Sequence, residues 1–149
     1  KNFKNKSYDI DQEILDYAKK FTDIMKLELT NKQYLIQDSV DFIKHNYHKY
    51  NFHIVSGSEH NELNFLCKEL GLAEYFLSIN GSPTSKIKLV NNIIELKKYN
   101  INDVILIGDS INDYEASVTN NISFYGYNNA NLADCSVSYI ENFKEFTFE

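Results

Sequence analysis

Residues 104–113, Val-Ile-Leu-Ile-Gly-Asp-Ser-Ile-Asn-Asp, constrain the fold more than any other stretch of the chain. Four consecutive aliphatic residues, Val104 to Ile107, read as a strand buried on both faces, the pattern of a parallel sheet flanked by helices. Gly108 permits a tight exit from that strand, and Asp109 and Asp113 then stand four apart where a helix begins. Two readings of this pair are open. Their oxygens can converge on a hard divalent cation such as Mg²⁺, or they can be an N-cap and a first-turn carboxylate, which helix starts favour for dipole reasons. Ser110 suits a capping role equally well.

A second apolar strand, Phe52-His53-Ile54-Val55, ends in Ser56-Gly57-Ser58 before a helical stretch from 59 to 70. A hydroxyl and free backbone N–H groups at a strand-to-helix turn make an anion cradle. Between the two strands, Gly81-Ser82-Pro83-Thr84-Ser85-Lys86 is a turn that delivers one lysine to the start of another helix. A cation there opposes the macrodipole, so Lys86 needs a compensating partner, and a phosphate would supply one. Apolar spacing places further helices over 9–29, 37–50, 85–99 and 111–120, with strands over 76–79, 103–108, 122–126 and 136–139 and a loop over 127–134. Alternation of this kind predicts a parallel sheet with crossover helices.

Strand-Ser-Gly, then Gly-Ser-Pro-x-x-Lys, then strand-Gly-Asp-Ser-x-x-Asp, in that order from about residue 36 to 124, resembles the haloacid dehalogenase-like superfamily. In particular it is similar to the phosphoglycolate phosphatase and β-phosphoglucomutase type. The resemblance implies an α/β fold, a Rossmann-like parallel sheet with helices on both faces and a site at the carboxyl ends of the strands. It also implies a division into the remnant of a small helical cap at 1–36 and a core at 37–149. The implied activity is Mg²⁺-dependent hydrolysis of a small phosphorylated metabolite. The alternatives are a noncatalytic binding or partner domain of the same fold, or a phosphosugar mutase. Carried onto this chain, the family pattern makes Asp109 a metal ligand and Asp113 a further ligand or an anchor behind it. Ser56 and the Gly57 N–H would hold phosphate oxygens, and the catalytic Lys86 would bind phosphate and neutralise charge on the transferring group.

One part of the family pattern has no match. Such enzymes carry Asp-x-Asp-x-Thr on a first strand, and the nearest candidate, Asp9-Ile10-Asp11, follows a stretch too polar for a buried strand and reads as a helix cap. The chain alone is therefore expected to be inactive. In the family's sheet order the missing strand would lie between those ending at Ser56 and Gly108, and the gap is expected to be filled by a complementing N-terminal segment or second chain, or closed by rearrangement.

The 149 residues suit one domain, and 11 Tyr plus 10 Phe supply ample core material. A net charge of −6 argues against a nucleic-acid surface. Apolar runs are too short to span a bilayer and the Lys- and Asn-rich start does not resemble a signal peptide, so a cytoplasmic location is expected. Cys67 and Cys135 read as reduced bystanders. His45 and His48, with His53 and His60, read as polar residues ahead of zinc ligands. Tyr125 and Tyr127 read as packing aromatics, and Asn128, Asn129 and Asn131 as turn formers.

Overall fold

The computed structural model describes residues 37–148; the cap segment and Asp9-Ile10-Asp11 lie outside them. The fold is α/β with parallel pairing throughout. In chain order come α1 (Gln37–Asn46), β1 (His53–Glu59), α2 (His60–Glu69), β2 (Ser78–Ser82), α3 (Lys86–Lys97), β3 (Ile105–Gly108), α4 (Ile111–Thr119), β4 (Ser123–Tyr127) and β5 (Ser138–Ile140). Short 3-10 segments precede β2, β3 and β5.

The strands form two parallel sheets, β1–β2 and β3–β4–β5. Leu106 pairs with Phe124 and Gly108 with Gly126, while His53 pairs with Ser78 and Val55 with Asn80. Beyond Val55 the β1 register becomes irregular, so the strand runs on to Glu59 rather than stopping at Ser58. Alternation along β4 sends Phe124 against Tyr114 of α4, and Tyr125 against Phe146 and Phe148 of the C-terminal segment. Phe42 of α1 joins those C-terminal rings, so helices cover both faces of this sheet.

The core cluster lies where α3 meets α4: Val90 and Ala116 pack with Ile122, and Ala116 is fully buried. Val55 of β1 and Leu106 of β3 pack against that same cluster, and no residue of β2 does. Both sheets thus lie beneath one helical layer with β1 as the strand next to β3, giving the order β2-β1, a break, then β3-β4-β5. Among the described residues, no strand pairs with the edges of β1 and β3 that border the break.

Candidate functional site

The loop after β3 is built around one carboxylate. Asp113 is 6% exposed, and its Oδ2 accepts from the Asp109 N–H at 3.2 Å, the Ser110 N–H at 3.2 Å and the Ser110 hydroxyl at 2.9 Å. Ser110 returns the bond, accepting from the Asp113 N–H, so the pair forms a capping box at the start of α4. Gly108 is required for this arrangement, because a Cβ there would overlap the Asp113 side chain. The cap is therefore Ser110, with Asp113 at N3, rather than Asp109.

Lys86, first residue of α3, places its Nζ 2.7 Å from the other Asp113 oxygen. This contact is what offsets a cation at a helix N-terminus: the partner is a carboxylate 27 residues away. Ser85 caps α3 by accepting from the Lys88 N–H, which directs Lys86 toward α4 while Lys88 stays exposed.

Asp109 is exposed, and its carboxylate makes no hydrogen bond or ion pair among the described residues. Its backbone is fixed at both ends. The N–H goes to Asp113, and the carbonyl accepts from the Asn129 amide at 3.0 Å. Asn129 is held in turn by the Tyr139 hydroxyl and by the turn to Asn131. In the sequence Asn129 reads as a turn former only; its reach back to Asp109 links positions twenty apart and leaves no local signal.

A metal is accommodated by this donor set in a limited way. Asp109 offers an exposed hard-oxygen donor, whereas both Asp113 oxygens already serve Lys86 and the cap. That suits Asp113 as an anchor behind the ligand. Mg²⁺ keeps several waters and takes one or two carboxylates, so Asp109 can provide one of its protein ligands.

At the end of β1 the Ser56 hydroxyl accepts from the Ser58 N–H at 3.1 Å, and Gly57 is exposed with open space where a Cβ would sit. Glu59 caps α2, its carboxylate accepting from the Asn61 and Glu62 N–H groups. The helix dipole is thus partly answered from within, so an incoming anion would rely on the Ser56 hydroxyl and the Gly57–Ser58 turn. The end of β2 presses on the same turn: a Cβ on Gly81 would overlap the Ser58 carbonyl, and the Gly81 N–H donates to His60 Nδ1 at 3.1 Å. A backbone N–H can only donate, so His60 Nδ1 must accept and Nε2 carries the proton.

The structure therefore joins Lys86, Asp113 and Asp109 at the end of β3. Ser56 and Gly57 stand at the same end of the neighbouring sheet, across the break, with no hydrogen bond joining them to Lys86 among the described residues. The four histidines go to separate partners: His45 to the Asp41 carbonyl, His48 to the Tyr47 ring, His53 to Ser78 and Tyr99, His60 to Gly81. No helix among the described residues is long and apolar enough to cross a membrane.

Solved structures share this architecture. A provisionally assigned phosphoglycolate phosphatase from Lactobacillus delbrueckii subsp. bulgaricus superposes with a TM-score of 0.63 at 14% identity, covering 71% of this chain and 49% of its own. A haloacid dehalogenase-like hydrolase from Streptococcus pneumoniae gives 0.63 at 16% identity over 67% and 52% of the two chains. A provisionally assigned β-phosphoglucomutase from Thermotoga maritima gives 0.58 at 16% over 73% and 55%. The chain spans about half the length of these relatives. Among curated protein sequences none matches. The sequence profile of the haloacid dehalogenase-like hydrolases matches residues 2–127, most of the chain, and with the site just described it shows that the chain belongs to the haloacid dehalogenase-like hydrolase family.

Proposed function

We propose that this chain supplies the phosphate-binding and metal-anchoring half of a Mg²⁺-dependent phosphomonoesterase acting on a small phosphorylated metabolite. The observation that carries the reading is the Lys86–Asp113 pair beside the exposed Asp109 at the carboxyl end of β3. The ammonium is held in place before any anion arrives, as electrostatic catalysis of phosphoryl transfer requires. Asp113 fixes both the lysine and the Asp109 backbone, so the charges that meet a phosphate are set by one buried carboxylate. Ser56 donates its hydroxyl to a nonreacting phosphate oxygen from across the break. Asp109 would hold Mg²⁺, which when bound would offset the repulsion between an anionic nucleophile and the anionic phosphate.

At the site Asp113 is committed to Lys86 and the cap and Asp109 to the metal, so neither is left to act as that nucleophile. Ser56 has no general base among its hydrogen-bond partners. The break between β1 and β3 points to the source. An extended segment paired with both edges would carry its C-terminal residues to the ends of β1 and β3, between Ser56 and Asp109. We assign that place to an Asp-x-Asp strand from a complementing segment or chain.

The test is hydrolysis of p-nitrophenyl phosphate by the 149-residue chain, alone and fused behind an apolar strand ending Asp-x-Asp-x-Thr. The expected result is no turnover alone and Mg²⁺-dependent turnover in the fusion, abolished by Asp109→Asn. Steady Mg²⁺-dependent turnover by the chain alone would overturn the complementation and send attention to Asp9 and Asp11. A folded fusion with no turnover would favour a noncatalytic domain.

A further inference from the structure

A cavity of about 210 Å³ opens beneath the C-terminal half of α3, between that helix and the starts of β1 and β2. It is separate from the Lys86 site. Eleven residues of helical rise put Lys97 about 16 Å from Lys86 along the axis, and His53 and Ser78 begin their strands at the end opposite Asp109.

The walls divide by chemistry. Leu77, Leu89, Ile93 and Leu96 form an apolar side, with Leu77 56% and Leu96 79% exposed. The sheet side is polar, with His53, Ser78 and Asn80 in one connected network. Ser78 Oγ lies 2.6 Å from His53 Nδ1 and accepts from the Asn80 amide at 2.8 Å, while His53 Nε2 meets the Tyr99 hydroxyl at 2.9 Å. Asn80 also donates to the Ile54 carbonyl. With those amide protons used inside the network, the donors left for a ligand are the Asn92 amide and the Lys97 ammonium, both on α3.

Charge decides the ligand's sign. Among the described residues, no carboxylate lines the cavity. Burial and the nearby Lys97 hold His53 below its ordinary value, so at neutral pH Lys97 is the one formal charge that the described residues place in the lining. Size decides the scale: an apolar cavity of about 150 Å³ accepts benzene, so this space suits a ligand of similar or slightly larger bulk.

We infer that this cavity is a binding site for a small aliphatic monocarboxylate, its chain against Leu89 and Ile93 and its carboxylate toward Lys97 and Asn92. The site is distinct from the phosphate site, and neither Asp109 nor Asp113 lines it.

The experiment is an NMR titration of the isotopically labelled protein with sodium hexanoate, with hexylammonium and hexanol as comparison probes. Hexanoate should give saturable shifts centred on His53, Asn80 and Asn92. An exposed ammonium–carboxylate contact of at most about 1 kcal/mol corresponds to about fivefold in affinity. Lys97→Gln should therefore weaken hexanoate about fivefold and leave hexanol unchanged. Lys97 is exposed, so this variant keeps the fold, which its spectrum reports directly. Three results would overturn the assignment: no saturable shifts at these residues, hexylammonium binding as tightly as hexanoate, or hexanoate affinity indifferent to Lys97→Gln.

Discussion

Lys86 and Asp113 stand 2.7 Å apart, with the lysine side chain 21% and the aspartate side chain 8% exposed. That one pair ties the start of α3 to the start of α4 and so to the loop carrying Asp109. An exposed lysine at a helix start would contribute little to folding, but this one neutralises a buried carboxylate, and removing either partner leaves the other desolvated and unpaired. Lys86→Met and Asp113→Asn should each cost about 1–3 kcal/mol. The double variant should cost clearly less than the sum, since the two losses share one interaction. Urea unfolding of the four proteins measures this, and additive losses would show that the pair is not coupled.

Gly108 is set against the same carboxylate. A methyl group there meets the Asp113 side chain, so Gly108→Ala forces Asp113 away from the Asp109 and Ser110 N–H groups. Overpacking of this kind costs about 1–3 kcal/mol. Gly57→Ala, where a Cβ enters open space, is the control and should melt close to the parent. Equal melting temperatures for the two variants would sink the steric argument.

Asp109 and Asp113 should separate cleanly in experiment. Asp109 is exposed and its carboxylate serves no described residue, so Asp109→Asn should leave stability within about 0.5 kcal/mol of the parent. It should also remove most of the metal affinity, because a neutral amide oxygen replaces a charged carboxylate ligand. Mn²⁺ paramagnetic broadening of the Gly108–Asp113 amides reads the metal directly. Broadening that survives Asp109→Asn would mean that the ligand is elsewhere.

What the sequence disclosed and what it hid follow from range. The aliphatic run before Gly108 identified β3, because a strand buried on two faces leaves its mark in four adjacent residues. Lys86 could be seen as a cation out of place at a helix start, yet its partner lies on the next helix and no local pattern names it. Ser58 and Glu59 both resemble helix-start residues, and the one that caps α2 is Glu59, whose carboxylate accepts from the Asn61 and Glu62 N–H groups. Phe143, Phe146 and Phe148, spaced by three and then by two, follow no single helical or strand period. They become a unit only because Phe42 and Tyr125 approach them from far along the chain.

That aromatic segment is pinned by Asp38, whose carboxylate accepts from the Tyr127 hydroxyl and from the Phe143 N–H, each at 2.8 Å. Burial works against its ionisation, but the bonds from Phe143, Tyr127 and Ser39 outweigh it and hold the carboxyl below its ordinary value of 3.8. A depressed acid stabilises the fold above the unfolded pKa, and that contribution is lost as pH falls through the folded value. Acidification from about pH 4 downward should release the C-terminal rings from α1. Asp38→Asn should already show that release at neutral pH. Near-UV circular dichroism follows the rings, and an identical acid transition in the variant would remove Asp38 from the account.

His53 gives the other pH dependence, at higher pH. Burial first, and then Lys97, hold its folded pKa below 6.5, so between the two values the unfolded chain binds more protons than the folded one. Stability must then rise with pH through this window. The contribution is complete above about pH 6.5 and declines as pH falls toward the folded value. The imidazole lies across β1, β2 and the residue that follows α3's left-handed cap, through Ser78 and Tyr99. The decline should therefore appear as earlier unfolding of the β1–β2 sheet, read by hydrogen exchange at Ile54 and Ile79. His53→Gln keeps a polar side chain but cannot titrate. It should lower stability at pH 7.5 through the lost bonds, and it should flatten the slope between pH 7 and 5. An unchanged slope in that variant would assign the proton uptake to another histidine.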